Sequence, residues 1–285
     1  MILSMTGFGR AEGICGGKKI SIDVKSLNSK GFDLNLKIPF RYKEKEFDIR
    51  KILSERIVRG KVDFYLNVEI IDGKTDTTLN KDVIRAYMDE LSDIVTAADR
   101  VELLKIATKL PDAVSTSNSE LTEEEWSELL LIIEKAIDNF IDFRITEGKS
   151  LETELRSYVK NIENNLTLVA PFEEARIEVT KERMLNNLKD FRDVDESRFY
   201  QELTYYVEKL DISEEKVRLA QHCKYFIEVL NEEDNNGKKL GFISQEIGRE
   251  INTLGSKANH QEIQKLVVQM KDDLEKIKEQ SLNVL

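Results

Sequence analysis

The chain has 285 residues, 40% of them hydrophobic and 34% charged, which is long enough to bury a sizeable core and too apolar for a disordered tail. No run approaches the roughly 20 apolar residues of a membrane-spanning helix, and the start MILSMTGFGRAEG lacks a basic region ahead of a hydrophobic signal core, so a cytoplasmic protein without a membrane partner is expected. Net charge is −11 but segregated: residues 1–74 carry 15 Lys and Arg against 10 Asp and Glu, and the remainder 28 against 44. A basic front on an acidic body suits a nucleic-acid partner at one end.

Along the chain, Ile20, Ile22 and Val24, then Leu34, Leu36 and Ile38, then Val62 through Ile70 alternate with polar residues as half-buried strands do. Residues 44–58 place Phe47, Leu53 and Ile57 amid charges, which predicts a short amphipathic helix ending near Gly60. From Leu79 onward the period changes to about 3.6. A helix is expected over 80–106, then a polar linker at Pro111–Thr122, then a helix from 123 whose Thr122 and Glu125 form a capping box. Gly148 and Pro171 predict kinks or short breaks. After another break near Asp193 to Asp195 come two long helices, 197–230 and 239–283, separated by NEEDNNGK. The fold class is therefore α+β, with an N-terminal α+β domain over 1–120 and a helical domain over 121–285 ending in a long hairpin.

A short polar loop makes the last two helices antiparallel neighbours. Ile212, Leu219, Cys223, Phe226 and Leu230 form one apolar stripe, and Leu240, Ile243, Ile247, Ile251 and Leu254 the matching one. Glu215, Arg218 and His222 flank the first stripe on one edge, and Lys239, Glu246, Glu250 and Lys257 flank the second. If the hairpin folds about residue 235, His222 lies opposite Glu246 and Glu250, Arg218 near Thr253, and Glu215 near Lys257.

Two carboxylates and an imidazole suit Mn²⁺ or Mg²⁺, and an imidazole can also move protons near neutrality. With only His222 and His260 in the chain, a multi-histidine zinc site is excluded, and the distant Cys15 and Cys223 carry no metal spacing. Gly241, Gly248 and Gly255 recur every seven residues, which predicts close approach of another backbone or a ligand. In the front domain Arg10, Lys25, Lys30, Arg50, Arg59 and Lys61 are candidate phosphate contacts, with Phe8, Phe32 and Tyr42 as stacking partners.

Three stretches, SMTGFGRAE at Ser4–Glu12, RGKV at Arg59–Val62 and GKKLGFISQEIGREINTLGSKANHQEI at Gly237–Ile263, resemble the YicC/YloC endoribonuclease family of bacteria. LNSKGFDLNLKIP, EGKSL and DISEEKVRLAQH extend the resemblance from end to end, with a looser middle third. It implies a hexameric, cytoplasmic, metal-dependent endoribonuclease that encloses RNA between an N-terminal ring and helical arms. Position by position, Glu147, Glu215, Arg218, His222, Gln245, Glu246, Arg249, Glu250, Asn252, Thr253, Ser256 and Lys257 match residues characteristic of the family. At Gly248 the family usually carries asparagine, at Ser29–Lys30 it often has His-Arg, and His260 replaces a common aspartate.

The resulting expectation is an RNA phosphodiesterase acting in RNA turnover. Glu147, Glu246, Glu250 and His222 would hold the divalent ion, and His222, Glu246, Glu250, Glu215, Arg218 and Arg249 would form the catalytic set. Arg10, Lys30, Arg59, Lys61, Gln245, Asn252 and Lys257 would contact RNA, and other RNA-decay enzymes are candidate partners. The alternatives are a non-catalytic oligomeric RNA-binding adaptor for another nuclease and a purely structural helical oligomer.

Overall fold

The computed structural model describes residues 2–71, 77–95, 99–116, 121–188, 196–232 and 237–285. Four strands, β1 (Gly7–Cys15), β2 (Lys18–Leu27), β3 (Phe32–Lys37) and β4 (Gly60–Ile70), form one sheet in the order β1-β2-β4-β3. The first two pairings are antiparallel and β3 runs parallel to β4. A 3-10 segment, Phe40–Lys45, leads into α1 (Glu46–Arg56), the expected short helix, which buries Ile49 and Leu53 while Phe47 stays exposed. Ile20, Ile22, Val24, Val62 and Phe64 are fully buried on the inner sheet face, in the register that their alternation requires.

β1 carries no comparable apolar alternation, because its inward positions are Gly7, Gly9, Ala11, Gly13 and Cys15. The reason is a helix lying directly on it. A Cβ at Gly9 would stand 2.3 Å from the carbonyl oxygen of Ala136 and 2.6 Å from the backbone nitrogen of Phe140. That helix is α4 (Glu123–Thr167), opened by the expected capping box of Thr122 and Glu125. Its 45 residues span about 67 Å. Leu129 to Phe140 pack into the sheet core, and Leu151 to Leu166 into a second, helical core, so a single rod is shared by both layers. Gly148 does not interrupt it; the backbone of the N-terminal segment lies against this glycine, where a Cβ would be 2.1 Å from Ile2 O. Pro171 takes the first position of α5 (Pro171–Leu188).

The helices after β4 are shorter than their periodicity suggested. A two-stranded ribbon of β5 (Thr77–Leu79) and β6 (Val114–Thr116) brackets α2 (Lys81–Ile94) and α3 (Arg100–Ala107) where one helix was expected. The 197–230 segment is α6 (Glu196–Lys209) and α7 (Ser213–Leu230), broken at residues 210–212. The 239–283 segment is α8 (Gly237–Ala258) and α9 (Gln261–Ser281), turned at Asn259, whose φ of 37° is left-handed. The expected break near Asp193–Asp195 lies outside the described residues, as do positions 117–120 of the linker and 233–236 of the hairpin loop.

The second core buries the two predicted stripes of α7 and α8 against α9 and the distal half of α4. The glycine repeat of α8 meets α9 side chains rather than another backbone: a Cβ at Gly255 would be 2.9 Å from Val267 Cγ1 and one at Gly248 3.0 Å from Leu274 Cδ2, whereas Gly241 has nothing within 4 Å.

Both chain ends meet between the layers. Ser4 bridges Val284, Met5 N donates to Asn283 O at 2.8 Å, and Leu285 N donates to Leu3 O at 2.9 Å. Asn28 Nδ2, after β2, donates to Leu282 O at 2.6 Å. The sheet loop carrying Lys30 is thereby tied to the helical layer. Among the described residues, no helix is long and apolar enough to cross a membrane.

Candidate nuclease site

α7 and α8 are antiparallel, as contacts at both ends of the pair establish. At one end Lys257 Nζ donates to Glu215 Oε1 at 2.7 Å. At the other, Lys239 Nζ lies 5.4 Å from the ring centre of Tyr225 and donates to both oxygens of Glu232. The Glu215–Lys257 contact is the pairing that the hairpin geometry predicted. Glu246, Glu250, Thr253 and Lys257 share one stripe of α8, and Glu215 and His222 share one stripe of α7, at about 100° per residue. The ion pair between two members ties the first turn of α7 to the last turn of α8. Equal rise along antiparallel helices sets half-buried His222 level with the turn from Glu246 to Glu250.

The carboxylates are unequal. Glu215 and Glu250 are each only 5% exposed, while Glu246 is half-buried. Glu215 Oε2 is buried with no hydrogen-bond donor among the described residues. Such an oxygen costs free energy unless a donor or cation reaches it, so the seam holds unmet capacity for positive charge.

Two arginines of the expected set are held on their own helices: Arg218 pairs with Glu214, and Arg249 donates to Glu246 at 3.0 Å. Gln245 and Asn252 are exposed on α8. Glu147 is exposed on α4 beside Gly148, and among the described residues no hydrogen bond or ion pair ties it to the α7–α8 seam. No group of three His, Cys, Asp or Glu placed to hold a metal ion occurs among the described residues. The donor chemistry at the seam suits a hard divalent ion, but one chain does not assemble a complete first coordination set from Glu147, Glu246, Glu250 and His222.

Four of the basic candidates, Lys25, Lys30, Arg59 and Lys61, gather at one sheet corner. Phe8 is paired with Lys25, and Leu27 with Lys61, on the outer face; Arg59 and Lys30 lie at the adjoining strand ends. Lys25, Lys30 and Lys61 are exposed, and Lys25 Nζ stands 5.6 Å from the Phe8 ring centre. Arg59 Nε donates to Ser29 O at 2.8 Å. Arg10 is bound to Glu12 at 2.6 Å and lies 3.7 Å from Asp23, so its charge is largely answered within the sheet. Arg50 is likewise held by Glu46. Of the expected stacking rings only Phe8 is available: Tyr42 is buried, and half-buried Phe32 packs on the sheet core.

Arg144, not among the residues expected from the sequence, occupies a core position on α4 and is 4% exposed. Its Nη2 donates to Met5 O at 2.9 Å, Ser26 Oγ at 3.0 Å and Arg59 O at 3.1 Å, while its guanidinium lies 4.5 Å from the Phe140 ring centre. Burial pushes its pKa down to about 10. It locks the SMTG segment and the RG turn into one junction, with Gly60 at φ 128° leaving room beside it. A lone arginine continuing the stripe Ile133, Ile137, Phe140 was the available signal.

The motifs thus have distinct physical tasks, and comparison with known proteins gives them a common origin. Family models described as "Endoribonuclease YicC-like, N-terminal region" and "Endoribonuclease YicC-like, C-terminal" match residues 2–153 and 169–285. The chain belongs to the YicC-like endoribonuclease family. It is 31% identical to a probable endoribonuclease YicC of Clostridioides difficile over the full length of both chains. A probable endoribonuclease YicC of Haemophilus influenzae is 27% identical, again across the whole of each. Within this YicC-like chain, the SMTGFGR and RGKV stretches build the junction around Arg144, whereas the C-terminal block builds α8 and its turn into α9.

Proposed function

We propose that this chain is an endoribonuclease whose reaction centre lies on the seam between α7 and α8. The observation that supports this reading is the ion pair of Glu215 with Lys257, which ties the start of α7 to the end of α8 and closes that end of the seam. Family membership supports the reaction class, endonucleolytic cleavage of RNA phosphodiester bonds, and a role in RNA turnover is part of the proposal.

In this reading RNA is gripped without sequence readout by Lys25, Lys30, Arg59 and Lys61 and reaches the seam past the junction of the chain ends. Phosphate contacts of this kind set position rather than specificity. Exposed Gln245 and Asn252 offer amide hydrogen bonds along α8, and Lys257, fixed by Glu215, presents a cation toward the phosphate. Arg218 and Arg249 neutralise phosphate after leaving their helical partners. His222 moves the proton.

Dependence on Mn²⁺ or Mg²⁺ is part of the proposal. Glu246 and Glu250 would hold the ion, and bound metal would stabilise charge on the phosphate. Because one chain lacks a complete ligand group, its own residues must be supplemented by the RNA phosphate or another copy. A hexameric, cytoplasmic assembly accords with this need. Cleavage of single-stranded RNA by freshly purified protein should require added Mn²⁺ or Mg²⁺ and stop with EDTA; undiminished cleavage in EDTA would remove the metal from the scheme.

The incomplete ligand group also favours a second reading, a non-catalytic RNA-binding adaptor that serves other RNA-decay enzymes. RNA retention with no cleavage at any metal concentration selects it.

A further inference from the structure

Residues between β5 and β6 form a small unit of their own. Its buried residues are Ile84, Leu103, Ala107 and Ala113, with Tyr87 and Met88 packed against its core. Among the described residues, the hydrogen bonds and ion pairs recorded for this unit are internal: Asn80 caps α2, Asp99 caps α3, and Asn80 N donates to Ala113 O. A unit of roughly 40 residues seldom closes an adequate core by itself. Instead it exposes apolar side chains, with Leu79, Val101 and Leu104 between 44% and 59% accessible.

Three of these exposed side chains converge. A groove of about 450 Å³ runs between α2 and α3, floored by Leu79, Ile84, Met88, Val101 and Leu104. Lys81, Arg85 and Arg100, all exposed, stand along the same groove. An aliphatic floor offers no aromatic platform for a nucleobase, but it matches the leucine face of a helix. Cations beside the floor select acidic residues flanking that face.

We propose that the α2–α3 groove is a docking site for an acidic amphipathic helix of a partner protein, with leucine-type side chains entering the floor and Asp or Glu meeting Lys81, Arg85 and Arg100. This inference is independent of the nuclease reading, since the groove shares no residue with the seam or the basic sheet corner.

The test uses the full-length protein and a fluorescein-labelled helical peptide with leucines at i, i+3, i+7 and i+10 flanked by glutamates, alongside the same peptide with lysines in place of the glutamates. Fluorescence anisotropy should show saturable binding of the acidic peptide, about tenfold weaker for Arg85→Glu/Arg100→Glu and for Leu104→Ser. The lysine peptide should bind at least about tenfold more weakly. Circular dichroism should be unchanged, because all three substituted positions are exposed. Equal binding of both peptides, or no effect of the substitutions, overturns the proposal. So does a groove filled by a second copy, seen as no peptide binding together with dissociation of the oligomer by Arg85→Glu/Arg100→Glu in sedimentation velocity. Loss of oligoribonucleotide binding by that variant, without peptide binding, overturns it in favour of RNA.

Discussion

Lys257 reaches across from α8 to Glu215 on α7 at 2.7 Å, joining a carboxylate that is almost wholly buried to an ammonium that is about one-third exposed. The pair is intermediate between the buried and surface regimes. Removing the cation leaves Glu215 with neither oxygen compensated, so Lys257→Met should destabilise the protein by about 2 kcal/mol, below the full buried-pair range because water reaches the ammonium. Glu215→Met/Lys257→Met should recover most of that loss. Urea unfolding of both variants measures this, and a double variant less stable than Lys257→Met would show that the carboxylate has other native partners.

Two glycines should respond with opposite sign. At Gly9 an added methyl meets the Ala136 carbonyl, a backbone atom that cannot swing aside, so Gly9→Ala should cost about 3 kcal/mol by forcing α4 off the sheet. At Gly241 the space is open, and Gly241→Ala should raise stability by about 0.5–1 kcal/mol through helix propensity. Shifts in urea midpoint with those signs are the expected result.

The chain ends form a clasp whose removal should be felt locally. Deleting residues 282–285 takes away the bonds of Met5 and Asn28 to this segment and the buried side chain of Val284. Amide hydrogen exchange should show protection lost at Met5, while the central strands β2 and β4 keep theirs. Unchanged exchange at Met5 would mean that the clasp does not hold in solution.

Both cysteines are thiols locked in the core. Burial, reinforced by the Glu128 and Glu125 carboxylates, pushes Cys15 up to about 11; burial, with Glu163, pushes Cys223 up to about 12. Neither should react with Ellman's reagent at pH 8 until denaturant is added. Because the folded pKa values lie above the unfolded ones, the folded state keeps its protons longer. The contribution is fully present below about pH 8.5 and is lost as pH rises through 11 to 12. A Cys15→Ala/Cys223→Ala variant should therefore show a shallower fall in stability above pH 9.

The sequence exposed what periodicity can carry and hid what depends on small residues or short turns. Strands β2, β3 and β4 announced themselves because their inward positions are branched or aromatic. β1 was invisible since close contact with α4 demands glycine there, which erases the hydrophobic alternation. The apolar stripes of α7 and α8 and the capping box of α4 were readable from local chemistry. The turn at Asn259 was not, since α8 and α9 keep the same period on either side of it. Ribbon β5–β6 is three residues per strand, too short to register. At the candidate site, the opposition of Glu215 and Lys257 followed from loop length and helical pitch. The ties of Arg218 to Glu214 and Arg249 to Glu246 are same-helix pairs at i, i+4 and i, i+3, the spacing that any exposed helix face offers.

RNA cleavage by Glu246→Ala/Glu250→Ala, purified beside the wild type and matched to it by circular dichroism, bears on the seam itself. With fluorescent single-stranded RNA and Mn²⁺, the rate should fall by at least about a hundredfold while RNA binding at the basic sheet corner persists. A double variant that cuts as fast as the wild type would place the reaction somewhere other than between α7 and α8.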